Sequence, residues 1–197
     1  MTLTNSATVS ALTEDANLTN NTATTVTTVG GPSAVSRKTH GAAGVFDIPL
    51  PLIGNPGIEC RSGGSSGVHQ LVVSFLNNVS LSSASVTSGT GTVSNATANG
   101  RDVVVNLSGV NNGQTILVTL FGVNDGTGTT NVVVPMSVLL GDTTANKAVN
   151  SSDVGQTKAR SGTVPNGNTF RSDVTINGVI NSSDIAEVKA QSGTALP

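Results

Sequence analysis

The sequence predicts a mainly β chain, built as a β-sandwich body with a strand hairpin before it and a small helical module after it. Three observations predict this. Gly, Ser, Thr, Asn and Val dominate, while Glu, Leu, Lys and Gln are scarce before residue 150, so strand formers and turn formers make up most of the body. Short apolar runs bounded by Gly, Asn and Ser recur at roughly eight- to twelve-residue intervals up to about residue 140. After residue 141 the pattern changes: "DTTANKAVNSSDVGQTKARSG" is nearly rewritten as "DVTINGVINSSDIAEVKAQSG" at an offset of 31 residues. One structural unit is used twice, each copy covering the other's apolar side.

Residues 1–30 form the first element. "LTNSATVSAL" and "NTATTVTTV" read as strands joined by the polar turn "TEDANLTN", with Ala23, Thr25 and Thr27 alternating against Thr24, Val26 and Thr28. The succession of an N-x-A-T-V-S strand, a D/N-rich turn and N-N-T-A-T resembles the closing hairpin of a repeat domain found in many bacterial surface proteins. The rest of such a domain is absent, and no cationic start followed by an apolar stretch opens the chain. The resemblance therefore implies a piece of a longer protein. A two-stranded hairpin is marginal in water, so it is expected to dock on the next domain or on another molecule.

Residues 31–140 form the body. "GGPSAVS" reads as a hinge. Strands are expected at "GVFDIPL", "HQLVVSFL", "SASVT", "GTVSNAT", "RDVVVNLSGV", "QTILVTLFGV" and "NVVVPMSVLL". The fifth and sixth read as a hairpin, with Asn111, Asn112 and Gly113 supplying the positive-φ turn. The inward set is Leu71, Val73, Phe75, Val103, Val105, Leu107, Ile116, Val118, Leu120, Val134, Met136 and Val138. An Ig-like or cohesin-like β-sandwich is the expected architecture.

Residues 141–197 carry most of the candidate chemistry. Counting Asp142 as position one, side-chain oxygens fall at positions one, three, five, nine and twelve: Asp142, Thr144, Asn146, Asn150 and Asp153. The second copy supplies Asp173, Thr175, Asn177, Asn181 and Asp184. These are the offsets of an EF-hand calcium loop, in which position seven offers its backbone carbonyl, here from Ala148 and Val179. Position eight is apolar in both copies (Val149, Ile180), which predicts a short β contact between the loops. Two carboxylates per loop, Thr at position three and Asp at position twelve predict a weak site, near the ~10⁻⁴–10⁻³ M of extracellular modules. Loop two keeps Gly178 where loop one has Lys147, and is expected to bind better.

A short helix is expected after each loop, with Ser151/Ser152 and Ser182/Ser183 at the N-caps and Gly162 and Gly193 at the C-terminal ends. The segment Gly141–Gly193, above all its "VNSSD" and "INSSD" blocks, resembles a type I dockerin, the duplicated loop-helix module that plugs into cohesins. That resemblance implies calcium as cofactor. It also implies partner contacts at Ser151, Ser152, Ser182 and Ser183, with Lys158 and Lys189 further along each helix. Thr at position three departs from the family. Because "VLLGDTT" runs from a strand straight into loop one without a Pro/Thr-rich tether, packing within the chain or assembly with other copies is favoured over docking to a cohesin.

Composition excludes several classes. A net charge of −2 with only 10% charged residues leaves no basic patch for nucleic acid, and the apolar runs are too short to span a bilayer. Four Phe and no Trp or Tyr do not make a conventional sugar-binding platform. Cys60, the single cysteine, forms no disulfide within the chain and reads as a small buried hydrophobe; Cys60, His40 and His69 are not expected to act as a nucleophile with bases. The acids outside the loops, Glu14, Asp15, Asp47, Glu59, Asp102 and Asp125, fall mostly at turns or strand edges, with no paired-carboxylate arrangement. "SRKTH" is expected to hold a salt bridge or a turn. The expectation is a non-catalytic assembly protein of a bacterial surface or fibre, calcium-stabilised, polymerising with copies of itself by strand complementation. The alternative is the docking appendage of a larger secreted enzyme or adhesin that binds a cohesin-like protein.

Overall fold

The computed structural model describes residues 2–10, 12–13, 15–28 and 30–197. The parts of the hairpin prediction that fall on Met1, Ala11, Glu14 and Val29 lie outside the described residues. The chain divides into two compact units, Met1–Gly31 and Pro32–Pro197.

In the first unit, β1 (Thr2–Thr8) and β2 (Thr22–Thr28) pair antiparallel, with Thr2 opposite Thr28 and Thr8 opposite Thr22. The turn between them is folded by short polar side chains. Asp15 accepts from the Asn17 amide at 3.0 Å, and Asn17 accepts from the Thr19 amide at 3.2 Å. Among the described residues each strand has one partner, so each presents one unpaired edge.

The second unit is mainly β. Its strands are β3 (Ser33–His40), β4 (Gly44–Pro49), β5 (Gly57–Glu59), β6 (His69–Ser74), β7 (Ser83–Ser88), β8 (Thr92–Asn99), β9 (Asp102–Ser108), β10 (Gln114–Asn124) and β11 (Thr129–Val138). The helices α1 (Ser151–Ala159) and α2 (Ser182–Ala190) follow. One sheet has the order β4-β3-β6-β9-β8 and is antiparallel throughout; the other runs β5-β11-β10-β7, with β5 parallel to β11. Period-two alternation turns one face of each sheet inward. Leu71, Val73, Val103, Val105 and Leu107 from one sheet meet Ile116, Val118, Leu120, Val134, Met136 and Val138 from the other in a single core, joined by Phe75. The whole predicted inward set is buried there.

Two sequence-based expectations are corrected. "GGPSAVS" is not a hinge along its length, because β3 begins at Ser33 and pairs with both β4 and β6. "RDVVVNLSGVNNGQTILVTLFGV" is not a hairpin: β9 bonds to β6 and β8, β10 bonds to β11 and β7, and the chain crosses between sheets. Of the turn residues only Gly113 takes a positive φ, 73°, while Asn112 uses its side-chain oxygen to accept from the Leu140 amide at 2.7 Å. A tight turn serves a crossing as well as a hairpin, and filled ladders on both sides decide the outcome. Glu59 ends β5, the edge strand of its sheet, yet has no solvent exposure.

The tail follows β11 without a tether. The Leu139 amide donates to Glu59 O at 3.0 Å and Gly141 to Cys60 O at 3.0 Å, which carries the chain along β5. A second apolar cluster then joins Ile58 and Leu139 to Val149, Val174 and Val188 of the tail.

Candidate metal centre in the duplicated tail

Each loop is curled by two left-handed residues, at positions four and six: Ala145 (φ 60°) and Lys147 (φ 72°) in loop one, Ile176 (φ 56°) and Gly178 (φ 90°) in loop two. The curl lets the first carboxylate close the turn. Asp142 accepts from the amides of Asn146 at 3.0 Å and Lys147 at 2.9 Å; Asp173 accepts from Asn177 at 3.1 Å and Gly178 at 2.9 Å. The last carboxylate reaches back across the loop. Asp153 Oδ1 accepts from the Thr144 amide and hydroxyl, both at 2.9 Å, and Asp184 Oδ1 from the Thr175 amide at 2.9 Å and hydroxyl at 2.8 Å. Positions one, three and twelve therefore converge in loop one, where the Thr144 hydroxyl also lies 3.5 Å from Asp142 Oδ1. At position five, Asn146 and Asn177 accept from the amides of Ala148 at 3.0 Å and Val179 at 2.9 Å.

The helices start where the loops end. The N-caps are Asn150 and Asn181 and not the serines, which occupy the first helical turn. Asn150 accepts from the Ser152 amide and Asn181 from the Ser183 amide, both at 2.8 Å. Asp153 and Asp184 close the box by accepting from the amides of Asn150 and Asn181 at 2.9 Å, so one carboxylate serves the loop through one oxygen and the helix through the other. The position-eight residues do not pair with each other, contrary to the sequence-based expectation. Val149 pairs with Gly193 and Thr194 beyond α2, at 2.9 Å for both bonds, and Ile180 pairs with Gly162 and Thr163 beyond α1, at 2.7 and 2.9 Å. The positive φ of Gly162 (88°) and Gly193 (93°) turns each exit segment back onto the other copy's loop.

Asp142, Asp153, Asp173 and Asp184 have no solvent exposure. Among the described residues the Lys and Arg ion pairs are Arg37 with Asp47 and Arg61 with Glu59, and neither touches a loop carboxylate. Arg171 comes near but binds carbonyls, donating to Asp142 O at 2.9 Å, Thr143 O at 3.1 Å and Ile58 O at 3.1 Å. Burial pushes the Asp142 carboxyl above its ordinary range, against the downward pull of its two backbone bonds. A buried carboxylate without a cation costs several kcal/mol. No group of three or more His, Cys, Asp and Glu side chains suited to a metal forms among the described residues. The side chains brought together, Asp142, Thr144 and Asp153 in loop one and Thr175 and Asp184 in loop two, offer only oxygen. Such a set fits a hard divalent cation of calcium type and does not suit the softer transition metals.

Sequence reasoning missed a buried polar chain beside loop two. Arg61 grips Glu59 with two bonds, Nε to Oε1 at 2.8 Å and Nη2 to Oε2 at 2.7 Å, while the Ser36 hydroxyl also donates to Glu59. Arg61 Nη1 donates to Phe46 O at 2.8 Å and lies 3.2 Å from His40 Nε2. Because a guanidinium only donates, Nε2 accepts and the ring proton sits on Nδ1, which donates to Asp173 Oδ2 at 2.9 Å. Burial raises Glu59, but the charge and bonds of Arg61 outweigh it and hold the carboxyl at about 2. The available signal was alternation: Ala34, Ser36, Lys38 and His40 share the buried face of β3, and three of the four are polar.

The remaining candidates are placed as follows. Cys60 is fully buried, burial pushes its thiol up to about 11, and its sulfur donates to Arg171 O at 3.6 Å. His69 opens β6, buried, with Nδ1 unbonded. "SRKTH" holds a salt bridge, Arg37 to Asp47 at 2.7 Å. A cleft of about 290 Å³ beside Arg61, His69 and Asn112, and another of about 490 Å³ beside Lys38 and Asn106, are lined by neither a carboxylate nor Cys60. Ser151, Ser152, Lys158, Ser182, Ser183 and Lys189 are all exposed on the two helices. No family model, curated protein or solved structure matches the chain.

Proposed function

We propose that the chain is a non-catalytic structural module of a bacterial surface or fibre, an Ig-like or cohesin-like β-sandwich whose dockerin-like tail binds calcium in both loops and braces the body. The observation that carries this reading is the burial of four loop carboxylates, none of which forms an ion pair with a Lys or Arg side chain among the described residues. Two divalent ions would neutralise them, held by Asp142, Thr144, Asn146, Ala148 O, Asn150 and Asp153 in one loop. Asp173, Thr175, Asn177, Val179 O, Asn181 and Asp184 would hold the other. Sites of ~10⁻⁴–10⁻³ M fill where calcium is millimolar, which supports an extracellular location. Packing of the tail on β5 supports bracing within the chain.

Calorimetric titration with calcium chloride and thermal unfolding followed by circular dichroism test the reading. Two binding events and a melting temperature lowered by chelator are expected. No heat at millimolar calcium and an unchanged melt would overturn it.

The unpaired edges of β1 and β2 support assembly by strand addition to another copy. Removing residues 1–31 is expected to abolish assembly seen by electron microscopy. A second reading, docking to a cohesin-like partner, is favoured by the exposure of Ser151, Ser152, Lys158, Ser182, Ser183 and Lys189. Calcium-dependent capture of a purified cohesin would support that reading instead.

A further inference from the structure

We infer that His40 of β3 positions the first carboxylate of loop two for its cation, so that binding at loop two depends on a side chain of the body that has no counterpart behind the first carboxylate of loop one. The inference rests on the proposed calcium binding and assigns the two loops different roles. Asp173 Oδ2 accepts from Gly178 N and from His40 Nδ1, both at 2.9 Å, which fills its two lone pairs. Among the described residues Oδ1 accepts only from Asn177 N, at 3.1 Å, and keeps one lone pair for a cation.

His40 is itself held. Arg61 donates to its Nε2, and Phe46 and Phe170 stand edge-on to the ring at 5.1 and 6.1 Å. The backbones are equally close. A Cβ on Gly178 would lie 2.9 Å from His40 O, and one on Gly41 would collide with Asn177 O. Among the described residues loop one has no such partner: Asp142 Oδ2 accepts from Lys147 N alone. Partners that orient a metal ligand from behind are worth about 10- to 100-fold in affinity.

The test is calcium chloride titration of the full chain by calorimetry, with one loop silenced at a time. In an Asp142→Asn/Asp153→Asn background only loop two reports. There His40→Ala is expected to weaken binding about tenfold or more, and His40→Asn, which returns an N–H near the place of Nδ1, to recover most of it. In an Asp173→Asn/Asp184→Asn background, His40→Ala is expected to leave loop one within twofold. If His40→Ala does not fold, Gly41→Ala reads the same coupling with the imidazole intact, and only loop two should weaken. Unchanged loop-two affinity in these variants, equal loss at both loops, or no recovery by His40→Asn overturns the inference alone. No calcium heat from the unsubstituted chain overturns the calcium reading and this inference together.

Discussion

Lys147 sits in the left-handed region at φ 72°, where loop two has Gly178 at 90°. A side chain there costs about 1–2 kcal/mol, and Lys147 is exposed, so its β-carbon gains little packing in return. Lys147→Gly is expected to stabilise the fold by about 1 kcal/mol and to tighten loop one, read by urea unfolding under circular dichroism and by calorimetry. The chain has no Trp or Tyr to serve as a fluorescent probe. Gly178 is a harder constraint than the turn alone requires, because a β-carbon would also press on His40 O. The carboxylate and threonine side chains that meet in the loops could be read from sequence, because a folded loop of this kind fixes both residue type and spacing. The His40, Arg61 and Glu59 chain could not: its members lie on separate elements, and polar residues on β3 look like a solvated face until β5 and the tail cover them.

At the scale of elements, each copy of the repeat is completed by the other's exit segment. Gly193, Thr194 and Leu196 make three backbone bonds to loop one, at 2.9 Å each, although they follow α2. Ending the chain at Ser192 is therefore expected to weaken calcium binding at loop one and speed amide exchange at Val149, with Ile180 and loop two little affected. A tail in which each copy stood alone would show the opposite order. Duplication was legible from the repeated words, but which segment clasps which was not, since either pairing satisfies the same apolar residues. The body shows the same limit. Alternation named the inward residues of β6, β9, β10 and β11, yet it could not say that β9 and β10 belong to different sheets, because both sheets face one core.

Over the whole second unit, acid acts in two steps. Burial, with Lys38 adding to it, holds His69 down at about 4 against an ordinary 6.5, so the unfolded chain binds its proton first. Stability from this group is complete above pH 6.5 and is lost as pH falls from 6.5 through 4, roughly 3 kcal/mol in all. Glu59, held at about 2 against 4.5, adds a second loss as pH falls from 4.5 through 2. Urea midpoints measured from pH 8 to 3 should decline along this course, and His69→Gln should flatten the upper part. A midpoint constant between pH 7 and 5 in the unsubstituted chain would contradict it.

Cys60 lies under the tail with its sulfur against the Arg171 carbonyl, and it is the single thiol of the chain. A thiol-reactive dye can reach it only during moments when that roof lifts, so the rate of labelling is a clock for separation of the tail from the strands beneath. Calcium should slow the clock and chelator should quicken it.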